Sequence, residues 1–255
     1  MEIHKPKAAH NLHEFLVEIG TITCGILIAL GLEQAVTNFD WARKVTETRT
    51  ALGLELAENL SKAEVRVRLN ACMDQRLDTL SRIVDQAARS GALPPLPRPA
   101  IPPYYSWGSG VWSSALSSQS ASHLPVDQLR AYSRLYQLID RISVAEPKEE
   151  AAWTVLYGLA GPGRPFDAND ARLYRQAIGE ARELNGLISG FGVRVEQQVA
   201  ADHLPYDLAE YRLRSVRGLA GARLTCGAPT GVPPATYGAA PAEDFAVHAE
   251  THPVT

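Results

Sequence analysis

Cysteine is scarce in this 255-residue chain, at three residues, and neither sign of charge dominates, with 25 lysines and arginines against 28 aspartates and glutamates. Three cysteines are too few for a disulfide-stapled scaffold, and their spacing fits no four-ligand zinc module. With a formal net charge of −3 and a pI near 6.2 the chain has no basic stripe for phosphate neutralisation, so nucleic acid is excluded as a partner. Aromatic residues make up only 7% of the sequence. Period-two alternation of β-branched residues is lacking throughout, which leaves few strands and predicts an all-α fold. What the chain does have is 45% hydrophobic residues, enough for a sizeable core.

The most apolar stretch runs from Phe15 to Val36, FLVEIGTITCGILIALGLEQAV, with 14 uncharged residues from Ile19 to Leu32. Fourteen residues fall short of the about 20 that cross a hydrocarbon layer, but the flanking apolar residues extend the span to 22 positions. Glu18 and Glu33 then stand about 22 Å apart along a helix, at the hydrocarbon edges rather than its middle. A buried core helix and a cleaved signal peptide are the alternatives; the sequence after the apolar core, Gly31-Leu32-Glu33-Gln34-Ala35, matches an A-x-A cleavage site poorly. The reading is a transmembrane anchor at 15–36 following a 14-residue cytoplasmic tail. Lys5 and Lys7 on the near flank and Arg43, Lys44 and Arg49 on the far flank nearly balance. A short lysine-bearing tail stays inside and long domains cross largely regardless of charge, which places residues after about 37 outside the cytoplasm. Thr21, Gly25 and Ala29 recur every four residues, a small-xxx-small face suited to helix self-association and hence to a homo-oligomer.

The block from His13 to Val36 resembles the N-terminal segment of a family of uncharacterised bacterial single-pass membrane proteins. The resemblance rests on Glu18 and the core Gly25-Ile26-Leu27-Ile28-Ala29-Leu30 and covers about 30 residues. It implies a bacterial inner-membrane anchor followed by a helical domain, and it carries over no catalytic residue.

Beyond the anchor, residues 37–226 read as a helical periplasmic domain. Asp40 to Ser90 contains no proline and one glycine, and forms one long helix. Its apolar stripe runs through Val45, Leu52, Leu56, Leu60, Ala63, Val67, Leu77, Leu80, Val84 and Ala87, with the remaining positions carrying the charge. Gly91 and the prolines at 94, 95, 97, 99, 102 and 103 follow, giving a stiff linker at 92–103. Further helices are expected at about 111–118, 125–141, 148–159, 167–201 and 206–219, with Asp167 as an N-cap and Asp170 three residues on. Arg212, Arg214 and Arg217 fall on exposed faces of the last. Residues 227–255, rich in Ala, Pro, Gly and Thr, read as a disordered tail.

No catalytic, cofactor or metal signature emerges. Gly108-Ser109-Gly110 lacks the nucleophile elbow, and Gly161-Pro162-Gly163 lacks the third glycine and preceding strand of a dinucleotide loop, so it reads as a turn. His10, His13 and Glu14 fall at helical spacing but read as interfacial residues, and Glu149 and Glu150 as a solvated face. Cys72 and Cys226 form an even pair that an oxidising compartment would join, leaving Cys24 in the anchor. Two functions are compatible with this: a non-enzymatic anchored protein that scaffolds or binds a partner, and a tethered sensor or enzyme with a small-molecule pocket lined by Trp107, Trp112, Tyr132 and Tyr136.

Overall fold

The computed structural model describes residues 12–227, and within them the chain is all-α. The reading of 227–255 as a disordered tail and of 1–14 as a cytoplasmic tail falls almost wholly outside the described residues. Helix α1 runs without interruption over Leu12–Ser90, joining the apolar stretch to the long helix after it. Then come strand β1 (Ala92–Leu93), α2 (Gly110–Ser117), α3 (Val126–Leu156), β2 (Arg164–Pro165), α4 (Ala168–Ala201) and α5 (Leu208–Gly227). The chain divides into two compact units, residues 1–47 and 48–255.

In the first unit the residues from Phe15 to Val36 form bare helix. Their large apolar side chains are 45–65% exposed. Thr21 donates its hydroxyl to the Val17 carbonyl at 2.8 Å, so the one hydroxyl on the Thr21–Gly25–Ala29 face is satisfied within the helix.

In the second unit α1 is the central element rather than one wall. Leu52, Leu56, Leu60, Ala63, Leu77, Leu80, Val84 and Ala87 are buried as expected from their spacing, but so are Val65, Leu69 and Met73 on another side. Asn59, Arg66 and Arg76 are buried as well, so part of the polar and charged set on α1 lies inside the domain. Salt bridges Asp85–Arg175 (2.8 Å) and Asp78–Arg182 (2.6 Å) and the bond from Asn185 to Asn70 (3.0 Å) show α4 running antiparallel to α1. Gly192 permits the close approach, since a Cβ there would stand 3.3 Å from the Ala63 carbonyl oxygen. Helices α3 and α5 run parallel to α1.

Three boundaries differ from those the sequence suggests, the simplest being the last helix, which runs to Gly227 rather than ending at about 219. The helices expected at 125–141 and 148–159 are one, α3, with Pro147 inside it. Pro147 lies on the exposed side, where water can satisfy the carbonyl that a missing N–H leaves open, so the helix continues. The proline-rich segment is extended but is not a linker between bodies: Leu93, Pro99 and Pro102 are buried, and β1 pairs antiparallel with β2. Leu96 and Gly161 exchange backbone hydrogen bonds of 3.0 and 2.9 Å, so the Gly161–Gly163 turn serves as the strand partner of this strap. Helix α4 opens on a capping box formed by Asp167 and Asp170.

Candidate functional site

Residues 94–103 contain six prolines and therefore six positions without an N–H, so the strap cannot join a helix or a long ladder. Its carbonyls still need donors once covered. They come from a polar stripe on α1 in which Glu55, Asn59, Lys62 and Arg66 follow at spacings of four, three and four, with Arg76 further along the same face. Arg76 Nη1 donates to the Ala100 carbonyl at 2.6 Å, Lys62 Nζ to Ser106 at 2.5 Å, and Asn59 Nδ2 to Gly108 at 2.7 Å. Asn59 Oδ1 accepts the Gly108 N–H in return at 3.0 Å. Glu55 ends the row: its Oε2 accepts the Val111 N–H at 2.9 Å, and its Oε1 accepts the Tyr136 hydroxyl at 2.6 Å. Ser109 makes no side-chain cap, so this carboxylate from α1 stabilises the N-terminus of α2.

Beneath the strap lies a buried charge cluster. Arg66 Nη2 donates to Glu149 Oε2 at 2.6 Å, with both side chains at most 1% exposed. Glu146 Oε2 accepts the Tyr105 N–H at 2.9 Å and the Trp107 indole N–H at 3.1 Å. Burial raises the pKa of both carboxyls, against the pull of Arg66. Glu149 is thus a core residue and not part of a solvated face, while Glu150 is exposed. A further carboxyl, Glu196 on α4, is pushed up to about 7 by desolvation and by Glu64 nearby. Glu64 Oε2 accepts hydrogen bonds from the hydroxyls of Tyr211 and Ser215 on α5.

The residues singled out from sequence fall in three places. Cys72 and Cys226 are joined by a disulfide that ties the last turn of α5 to α1 across 154 residues. Thr21, Gly25 and Ala29 lie exposed on the apolar part of α1, with open space around Gly25. Cys24 is free and exposed there too. The proposed pocket aromatics do not surround a space. Trp112 stacks on Tyr136 at 5.5 Å and packs on Tyr132 at 5.8 Å, so these rings fill the core. Trp107 instead meets Tyr105 edge to face at 6.3 Å, above Glu146. His10 and the Glu14 side chain lie outside the described residues.

Chemically, the buried cluster has the marks of architecture: its charges point at the strap and at each other. The surface dent lined by Asp127, Arg130, Arg134 and Asp202 is open and polar, with Arg134 and Asp202 paired at 2.8 Å. Among the described residues no three His, Cys, Asp or Glu side chains converge as metal ligands would. Of the residues that matter most for this arrangement, Glu55, Asn59, Lys62, Arg66, Arg76 and Glu146 carried no reading from the sequence, and Glu149 was expected on a solvated face. The legible signal was the four-three-four spacing of polar groups opposite a donor-poor proline run. No family model, curated protein or solved structure matches this chain.

Proposed function

We propose that this protein is a single-pass membrane protein whose helical domain scaffolds or binds a protein partner outside the cytoplasm. One observation carries the reading: the 22 residues from Phe15 to Val36 are helical, predominantly apolar, and exposed among the described residues. Exposed apolar area on that scale is costly in water, at about 25 cal/mol per Å2, and is favourable in lipid. The Cys72–Cys226 disulfide supports an oxidising compartment for the domain, and with it the periplasmic side of a bacterial inner membrane. A core filled by its own side chains supports a structural or partner-binding role over catalysis. Self-association of the anchor through Thr21, Gly25 and Ala29 belongs to the same proposal, and an unchanged crosslinked dimer yield in Gly25→Leu would remove it.

Fractionation of the tagged full chain followed by alkaline carbonate extraction tests the anchor. Retention in the pellet is the expected result, and release into the supernatant would overturn it. Protease added to spheroplasts tests the side: loss of residues 48–227 with survival of an N-terminal tag is expected.

A further inference from the structure

Helix α5 is mounted back to front. The side it turns towards α1 carries Ser215, Gly218 and Ala222, with Leu219 and Cys226 only partly buried. Its large apolar residues point the other way: Leu213, Val216 and Leu224 are 48%, 69% and 78% exposed. With Ala209 and Ala220 they form one outward stripe at spacings of four, three, four and four. Hydrophobic burial alone would turn such a helix over. Specific ties hold it as it is: the disulfide, the Tyr211 and Ser215 hydroxyls on Glu64, the Arg214–Glu58 pair at 3.5 Å, and Gly218, where a Cβ would run into Val65. Exposed Arg212 and Arg217 border the stripe on its two sides.

We infer that this stripe is a docking surface, and that its occupant is the chain's own segment 242–250. Its sequence, Ala-Glu-Asp-Phe-Ala-Val-His-Ala-Glu, sets Glu243, Asp244 and Glu250 beside Phe245 and Val247, the acidic and apolar complement of an arginine-bordered leucine and valine stripe. A second copy of α5 fits worse, because its arginines would meet their equals. The 14 residues 228–241 lead from the end of α5 to this segment. Fully extended they reach about 46 Å, and the middle of the stripe is only about 15 Å back along the helix. Tethering at that length gives an effective concentration in the millimolar range, enough to fill a weak site. This inference does not rest on the membrane reading.

The test uses the full chain in detergent with Cys24→Ser, Val216→Cys labelled with bimane, and Phe245→Trp as quencher. Relative to the parent that keeps Phe245, emission is expected to fall by roughly half or more at low salt. High salt or Glu243→Lys with Asp244→Lys should restore it. In the unlabelled chain the same two lysines should speed hydrogen exchange at amides 209–224. Emission equal to the parent, with exchange unaffected by the lysines, would overturn the inference. Quenching that appears only on mixing labelled chains with separate tryptophan-bearing chains would overturn it too, and would assign the stripe to a second copy.

Discussion

Arg66 and Glu149 meet at 2.6 Å where neither touches water. Removing one partner of such a pair strands the other charge, which costs about 3–5 kcal/mol, whereas replacing both with apolar side chains of similar size is often close to neutral. Glu149→Leu is therefore expected to lower the unfolding free energy by about that amount in urea, and Arg66→Met with Glu149→Leu to regain most of it. At Glu55 the stakes are smaller: Glu55→Ala removes a helix-capping carboxylate and leaves the Tyr136 hydroxyl without its acceptor, a loss of about 1–3 kcal/mol in the same measurement. Glu196 gives the pH dependence. Its native pKa, about 7, stands above that of the unfolded chain, so the native state holds a proton that the unfolded state has released. That contribution is complete below the ordinary glutamate range and disappears as pH rises through 7. Melting temperature should accordingly decline between about pH 4.5 and pH 7, and Glu196→Gln should flatten the decline. An identical slope in the variant would show that the proton resides elsewhere. None of these roles could be read from single residues, since a glutamate at 149 or 55 carries the same spacing signal whether it meets water or an arginine.

Elements differ in how they are held, and the sequence spoke clearly for those held by their own periodicity. Helix α4 has a strong N-cap, a regular apolar face and a clean stop, and its observed ends match the expected 167–201 closely. The helices expected at 125–141 and 148–159 are one in α3, where burial of Ala145, Glu146 and Glu149 around the exposed Pro147 outweighs one lost hydrogen bond. The strap was legible as extended, through its prolines, but not as packed. Helix α5 depends on its ties. In the chain-entropy description the Cys72–Cys226 bond, closing a 154-residue loop, contributes up to about 5 kcal/mol. Cys226→Ser is expected to lower stability by at most that much, with hydrogen exchange accelerating first at amides 219–227. Equal acceleration across α3 and α4 would instead place the bond in the global fold.

At the scale of the molecule the proposed function turns on the exposed apolar helix at 15–36. Ile26→Lys with Ile28→Lys, at about 2.5–3.5 kcal/mol of insertion free energy each, should shift the chain out of the carbonate-resistant pellet. The helical circular dichroism and the 72–226 disulfide should survive, since Ile26 and Ile28 are 54% and 64% exposed and belong to no buried core. The apolar run, the all-α character, the long helix and the pair of cysteines outside that apolar run were determined by sequence alone, because each rests on composition or on spacing within a few turns. Tertiary structure alone decided that α1 is surrounded, that its polar row grips a proline strap, and that α5 turns its leucines outward. Those outcomes depend on which groups meet across tens of residues, and helical periodicity names a face without naming what will cover it.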